Sequence, residues 1–156
     1  MSLEVGKKAP MFTLPDSDGN KVALKDYLGE KVVLYFYPKD NTSGCTAEAC
    51  DFNDSLKAFD KIKVKVLGVS KDSQKSHIKF RDKYGMKYSL LSDEEVKIIP
   101  KFGIWKEKSM YGRKYMGVER TTFIIDEKGK IEKIFPKVKV KGHVDEILKY
   151  LSEKKD

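Results

Sequence analysis

The run Val32-Val33-Leu34-Tyr35-Phe36-Tyr37 is unbroken by any polar residue and rich in β-branched and aromatic side chains. A strand with one wet face alternates apolar with polar; one without alternation is buried on both faces. Such a strand needs a layer of structure on each side of its sheet, which points to an α/β architecture. Val64 to Val69 has the same character, and Thr122-Phe123-Ile124-Ile125 is a third apolar strand. After it, Asp126-Glu127-Lys128-Gly129 makes a turn, and Lys130 to Phe135 pairs back as a hairpin.

Helical spacing appears between these strands. Ala49, Phe52, Leu56 and Phe59 recur on one face and predict a helix from about Thr46 to Phe59. Ser73 to Tyr84 is a second helix with Ser73 as its N-cap, and Val144 to Leu151 is a third. Phe12 to Val22 has the turn residues of a small N-terminal hairpin. The order is hairpin, βαβα, hairpin, helix, which predicts a central mixed β-sheet flanked by helices.

The 156 residues fit one domain, taken as 1–156. No run approaches the ~20 apolar residues that span a bilayer, so no membrane association is expected. Met1 to Lys8 lacks a basic stretch followed by an apolar one, so no secretory signal is visible and a cytoplasmic location is expected. The net charge of +8 invites a nucleic-acid reading. Against it, the basic residues are mostly lysines interleaved with acids. The only arginines are Arg81, Arg113 and Arg120, and no basic block carries interleaved aromatics. A solvated lysine-rich surface accounts for the charge, and no nucleic-acid partner is expected.

The first strand runs through Pro38-Lys39-Asp40-Asn41-Thr42-Ser43-Gly44 into Cys45, at the start of a helix. The first N–H groups of a helix lack intrahelical partners, and the aligned peptide dipoles place positive potential there. A thiolate at that point is stabilised, and the thiolate is the nucleophile. Cys50 is the only other cysteine. It lies more than a turn deeper, where the dipole effect fades, so Cys45 is the expected nucleophile and Cys50 a group that could resolve its oxidised form. In an intact helix, residues five apart are separated by ~7.5 Å along the axis and by roughly 140° around it. A disulfide needs Cα atoms within about 7 Å and facing Cβ vectors. Pairing of Cys45 with Cys50 therefore requires the first turns of the helix to unwind. The plain alternative is two buried structural cysteines. A zinc site would need two more ligands, and the only histidines, His77 and His143, are remote in sequence. No metal or cofactor is expected.

Pro38-x-x-x-Thr42-x-x-Cys45 resembles the active-site motif of the peroxiredoxins, thiol-dependent peroxidases on a thioredoxin-like fold. The longer stretch Tyr37 to Cys50 is similar to the bacterioferritin comigratory protein, or peroxiredoxin Q, branch. So are Lys108 to Val118 and Arg120-Thr121-Thr122-Phe123-Ile124-Ile125-Asp126. One departure is Ser43, where many members carry proline. The resemblance implies a thioredoxin-like fold, reduction of hydrogen peroxide and organic hydroperoxides, thioredoxin or a similar dithiol as reductant, and a monomer. It makes Cys45 the peroxidatic cysteine and Cys50 the partner in an intramolecular disulfide. It makes Arg120 the active-site arginine, Thr42 a hydrogen-bond donor to the reacting atoms and Pro38 a shield over the pocket. Thr42 could also serve as a helix cap, Arg120 could belong to a surface ion pair with Glu119 or Glu127, and Pro38 could be a simple turn residue. Two other functions fit parts of the sequence. A redox sensor would use the same cysteine switch without turnover. A nucleic-acid-binding protein would bind in a salt-sensitive way without Cys45.

Overall fold

A computed structural model describes residues 3–153; the two ends of the expected 1–156 unit lie outside the described residues. In chain order the strands are β1 (Thr13–Pro15), β2 (Lys21–Ala23), β3 (Lys31–Phe36), β4 (Val64–Ser70), β5 (Ser89–Ser92), β6 (Trp105–Met110), β7 (Arg113–Val118), β8 (Thr121–Ile125) and β9 (Ile131–Phe135). The α-helices are α1 (Ser43–Asp54), α2 (Leu56–Lys61), α3 (Gln74–Tyr84) and α4 (His143–Glu153). Short 3₁₀ turns occupy Leu24–Tyr27 and Ile99–Phe102.

The main sheet has the order β5-β4-β3-β8-β9. β3, β4 and β5 are parallel, β8 runs antiparallel to β3, and β9 runs antiparallel to β8, so the sheet is mixed as expected. Side chains alternate across β3 and divide the core in two. Val32, Leu34 and Phe36 join a cluster with Phe12, Leu24, Ile99, Phe102 and Val118. Val33 and Tyr35, with Tyr37 just beyond the strand, join Phe52, Phe59, Phe80 and Ile147. All four α-helices contribute to this second cluster. The opposite face is closed by the β1–β2 hairpin, the 3₁₀ turns and the inner ends of β6 and β7.

Gly68 shows how tightly the helix-covered face is packed. It pairs in register with Tyr35, and a Cβ built on it would lie 2.9 Å from the Tyr35 ring. That ring stacks on Phe52 of α1 at 4.4 Å between centroids and 19° between planes.

The single helix expected over Thr46–Phe59 is corrected in two respects. It begins earlier, at Ser43, and it breaks at Ser55, whose φ and ψ are −102° and 5°. Asp54 and Ser55 belong to the residue types that compete with the helical backbone, and Asn53 turns its side chain outward to bond Gly85 C=O and Lys87 N–H. The second predicted helix has the Ser73 cap that the sequence offers, with Ser73 Oγ accepting from Ser76 N–H at 3.0 Å. Three strands have no counterpart in the sequence reading: β5 and the β6–β7 hairpin. β5 is only four residues long, and β6 and β7 are largely exposed, so neither presents a clear pattern.

Candidate active site

The sheet delivers the loop Tyr37–Thr42 from the end of β3 to the start of α1. Pro38 opens it, half-buried, and Asn41 takes a left-handed backbone conformation at φ 61°. Thr42 occupies the N-cap position, and the first intrahelical bond is Thr46 N–H to Thr42 C=O at 2.8 Å. Cys45 precedes that bond, so its own N–H belongs to the unpaired first turn. The Cys45 side chain is 1% exposed and free, in the aromatic cluster with Tyr35 and Phe52.

Arg120 reaches this cysteine from the residue before β8. Its Nη2 donates to Cys45 Sγ at 3.3 Å, and its Nη1 donates to Glu48 Oε1 at 2.6 Å. The ion pair is thus with Glu48, not with Glu119 or Glu127. One guanidinium holds both groups because its planar fork offers several fixed donors. Burial works against the Arg120 charge, but Glu48 and then Cys45 overcome it and raise its pKa. Gly44 leaves room for the fork: a Cβ there would sit 3.3 Å from Arg120 Nη2.

Glu48, the partner of Arg120, lies three residues after Cys45, hence on the same helical face. Only 1% of it is exposed, and Oε2 has no hydrogen-bond partner among the described residues. Burial pushes its carboxyl from 4.5 up to about 7, although Arg120 pulls the other way. A further cation, Lys108 of β6, bonds Val118 C=O at 2.6 Å; burial and then the like charge of Arg120 push its ammonium down.

Thr42 does not cap the helix with its side chain. Its hydroxyl donates to Lys39 C=O at 3.0 Å. This corrects the donor role expected for Thr42: with its hydrogen committed, the oxygen has lone pairs to offer and can accept a hydrogen bond from a ligand rather than give one. Cys50 is half-buried and free on the intact helix. Burial, then Asp54 and Asp51, push its thiol up and disfavour its thiolate. The ladder of α1 stands between the two sulfurs, as the spacing predicts. Tyr88 adds a tether: it donates to Ala49 C=O at 3.0 Å and shares a 2.6 Å bond with Tyr35.

The arrangement is an activated-thiol site. It has a buried sulfur at a helix start, a fixed cation on that sulfur, and a second thiol on the same helix. Asp40, two residues before Thr42, carries a separate set of buried contacts to α3. No pattern along the chain signals them, because the partners come from another element.

The sequence and the fold both have counterparts among known proteins. The family described as AhpC/TSA matches residues 5–134. A putative peroxiredoxin bcp of Coxiella burnetii is 52% identical over 95% of this chain and 98% of its own length. Peroxiredoxin Bcp of Bacillus subtilis is 48% identical over 98% of both chains. Among solved structures, Xanthomonas campestris peroxiredoxin Q superposes with a TM-score of 0.90 at 41% identity, covering 96% of this chain and 98% of that one. Xylella fastidiosa PrxQ does so with a TM-score of 0.93 at 38% identity, covering 98% of each.

Proposed function

The chain belongs to the AhpC/TSA family, on the thioredoxin-like fold of the peroxiredoxins, and from that premise we propose a two-cysteine thiol peroxidase cycle run by Cys45 and Cys50. The observation that carries the proposal is the Arg120 fork, which holds Cys45 Sγ and the buried Glu48 at once. A related Xanthomonas campestris bacterioferritin comigratory protein has been studied for alkyl peroxide reduction, which supports hydroperoxides as the substrate class.

In the first step the Cys45 thiolate attacks one oxygen of ROOH. An S–O bond forms as the O–O bond breaks; the sulfur loses two electrons and the leaving RO⁻ takes a proton to become ROH. Negative charge spreads over the sulfur and both oxygens in the transition state. The Arg120 guanidinium and the free Cys45 N–H face that charge. Thr42 accepts a hydrogen bond from the peroxide O–H and orients the O–O bond, the attacked oxygen keeps that hydrogen as the sulfenic O–H, and Pro38 keeps water from the sulfenic acid. In the second step the first turns of α1 unwind and Cys50 attacks the sulfenic sulfur. An S–S bond forms and water leaves. A dithiol protein such as thioredoxin then exchanges its two thiols for the disulfide and is itself oxidised. The reading has one domain acting as a monomer in the cytoplasm. Among the described residues no helix is long and apolar enough to cross a membrane, which accords with that location.

Intact mass after one equivalent of hydrogen peroxide tests the cycle. The reduced protein loses about two mass units with both thiols consumed. Cys50→Ser stops instead at the sulfenic acid, about sixteen units heavier. Cys45→Ser shows neither change. Catalytic turnover with a dithiol reductant separates an enzyme from a stoichiometric sensor. A wild-type mass that stays constant overturns the proposal.

A further inference from the structure

The loop that carries Pro38 and Thr42 is held from outside the reacting centre. Asp40, buried in that loop, receives three donors on its carboxylate. Tyr37 OH bonds Oδ1 at 2.6 Å, and Ser76 Oγ bonds Oδ2 at 2.8 Å. His77 Nδ1 of α3 contacts Oδ2 at 2.6 Å. The His77 ring is fully buried, and its Nε2 faces Leu91 C=O of β5 at 3.1 Å. A carbonyl only accepts, so Nε2 donates to Leu91 C=O while Nδ1 faces Asp40. His77 therefore ties the loop to the core sheet. Asp40, Asp72 and His77 bring ligand-type atoms within 4.8 Å of one another. Protein donors already occupy those oxygens, so the trio is a clamp and not a vacant cation site.

We infer that His77 is a positioning residue for the peroxide reaction, acting through Asp40 on Thr42. The link is a single peptide plane. The Asp40 N–H donates to Asp72 Oδ2 at 2.9 Å. The Lys39 C=O on the other side of the same planar peptide accepts the Thr42 hydroxyl at 3.0 Å. In a rigid trans peptide the direction of one group fixes the direction of the other. Asp72 is itself oriented by Ser70 Oγ at 2.6 Å, and Tyr84 OH holds Asn41 Oδ1 at 3.2 Å. His77 thus sets where Asp40 sits, Asp40 sets the peptide, and the peptide sets the Thr42 oxygen. The clamp also ends before α1 begins. Unwinding of the helix for the Cys45–Cys50 disulfide can start after Asn41 without dislodging the loop, so the loop retains its geometry for the next cycle.

This inference rests on the peroxidase reading, and its test separates the two. Two substitutions divide the histidine's contacts. His77→Asn places an amide where Nδ1 stood and preserves the Asp40 bond, whereas His77→Gln places one nearer Nε2 and preserves the Leu91 bond. The readouts are the second-order rate of Cys45 oxidation by hydrogen peroxide and the rate of Cys45 alkylation by iodoacetamide. The His77→Asn rate with peroxide stays within about threefold of wild type. His77→Gln loses about tenfold or more, since a small misplacement of an orienting group costs up to ~100-fold. Alkylation, which does not need Thr42, changes less than about twofold in both variants. Ser76→Ala removes only one hydroxyl from Asp40 and gives a second test in a lightly altered core, with an expected loss of about threefold. Equal peroxide rates for Asn and Gln, with Ser76→Ala at the wild-type rate, overturn the inference while leaving the peroxidase reading intact. Failure of wild-type Cys45 to react with peroxide, matching Cys45→Ser, overturns the reading itself.

Discussion

At the scale of single residues, Arg120 and Glu48 divide the electrostatic work of the site. Arg120 is shared between a sulfur and a carboxylate, so a point-charge ammonium cannot replace its fork. Arg120→Lys should slow Cys45 oxidation by about a hundredfold, read as the second-order rate constant with peroxide. A variant reacting at the wild-type rate would make the arginine structural. Glu48 offers a pH prediction. Its folded carboxyl is raised from 4.5 to about 7, chiefly by burial. A raised pKa means that the fold prefers the neutral acid. The stabilisation it brings is complete below pH 4.5 and is lost as pH climbs through about 7. Glu48→Gln cannot ionise. Urea unfolding of both proteins should therefore show wild-type stability falling relative to the variant across that interval, and a flat difference would contradict the assignment. Cys45 was legible in the sequence because its activation is local: a turn, a helix start and a thiol within a few residues. Its ion-pair network was not, because Arg120 lies 75 residues away from Cys45 and 72 from Glu48.

At the scale of elements, α1 is the scaffold of the site and, in the proposed cycle, the part that moves. Its dipole and first-turn N–H groups serve Cys45 while it is folded, yet its ladder keeps Cys50 away. The tethers on its outer half oppose unwinding. Tyr88→Phe deletes the bond to Ala49 C=O, a tether worth ~1 kcal/mol. Formation of the Cys45–Cys50 disulfide from the sulfenic acid should then accelerate by about fivefold, followed by quenched intact mass. An unchanged rate would show that unwinding does not involve Ala49. The helices α3 and α4 were readable from spacing, and α3 from its serine cap, because periodicity and capping act over a single turn. The β6–β7 hairpin was not. With little of it buried, no face imposes an apolar period, and pairing of Trp105 with Val118 through Met110 with Arg113 supplies the order instead.

At the scale of the whole molecule, one sheet with two packed faces places every part of the site. β3 ends beside β8, so the loop after the one and the arginine before the other meet at a single edge of the sheet. Packing between Tyr35, Gly68 and Phe52 sets the height of α1 over that sheet. Gly68→Ala should lower stability by about 1–3 kcal/mol through overpacking, measured by urea unfolding. Wild-type stability in that variant would mean that the ring is free to shift. Legible along the chain are the α/β class, the buried central strands and a cysteine at a helix start. These follow from hydropathy, turn chemistry and backbone dipoles acting over short stretches of chain. Tertiary folding alone brings Arg120, named by the family resemblance, against Cys45, buries Glu48 as its partner and sets His77 against Asp40. Those pairings depend on strand order and on how helices settle across the sheet, and no spacing along the chain encodes them directly.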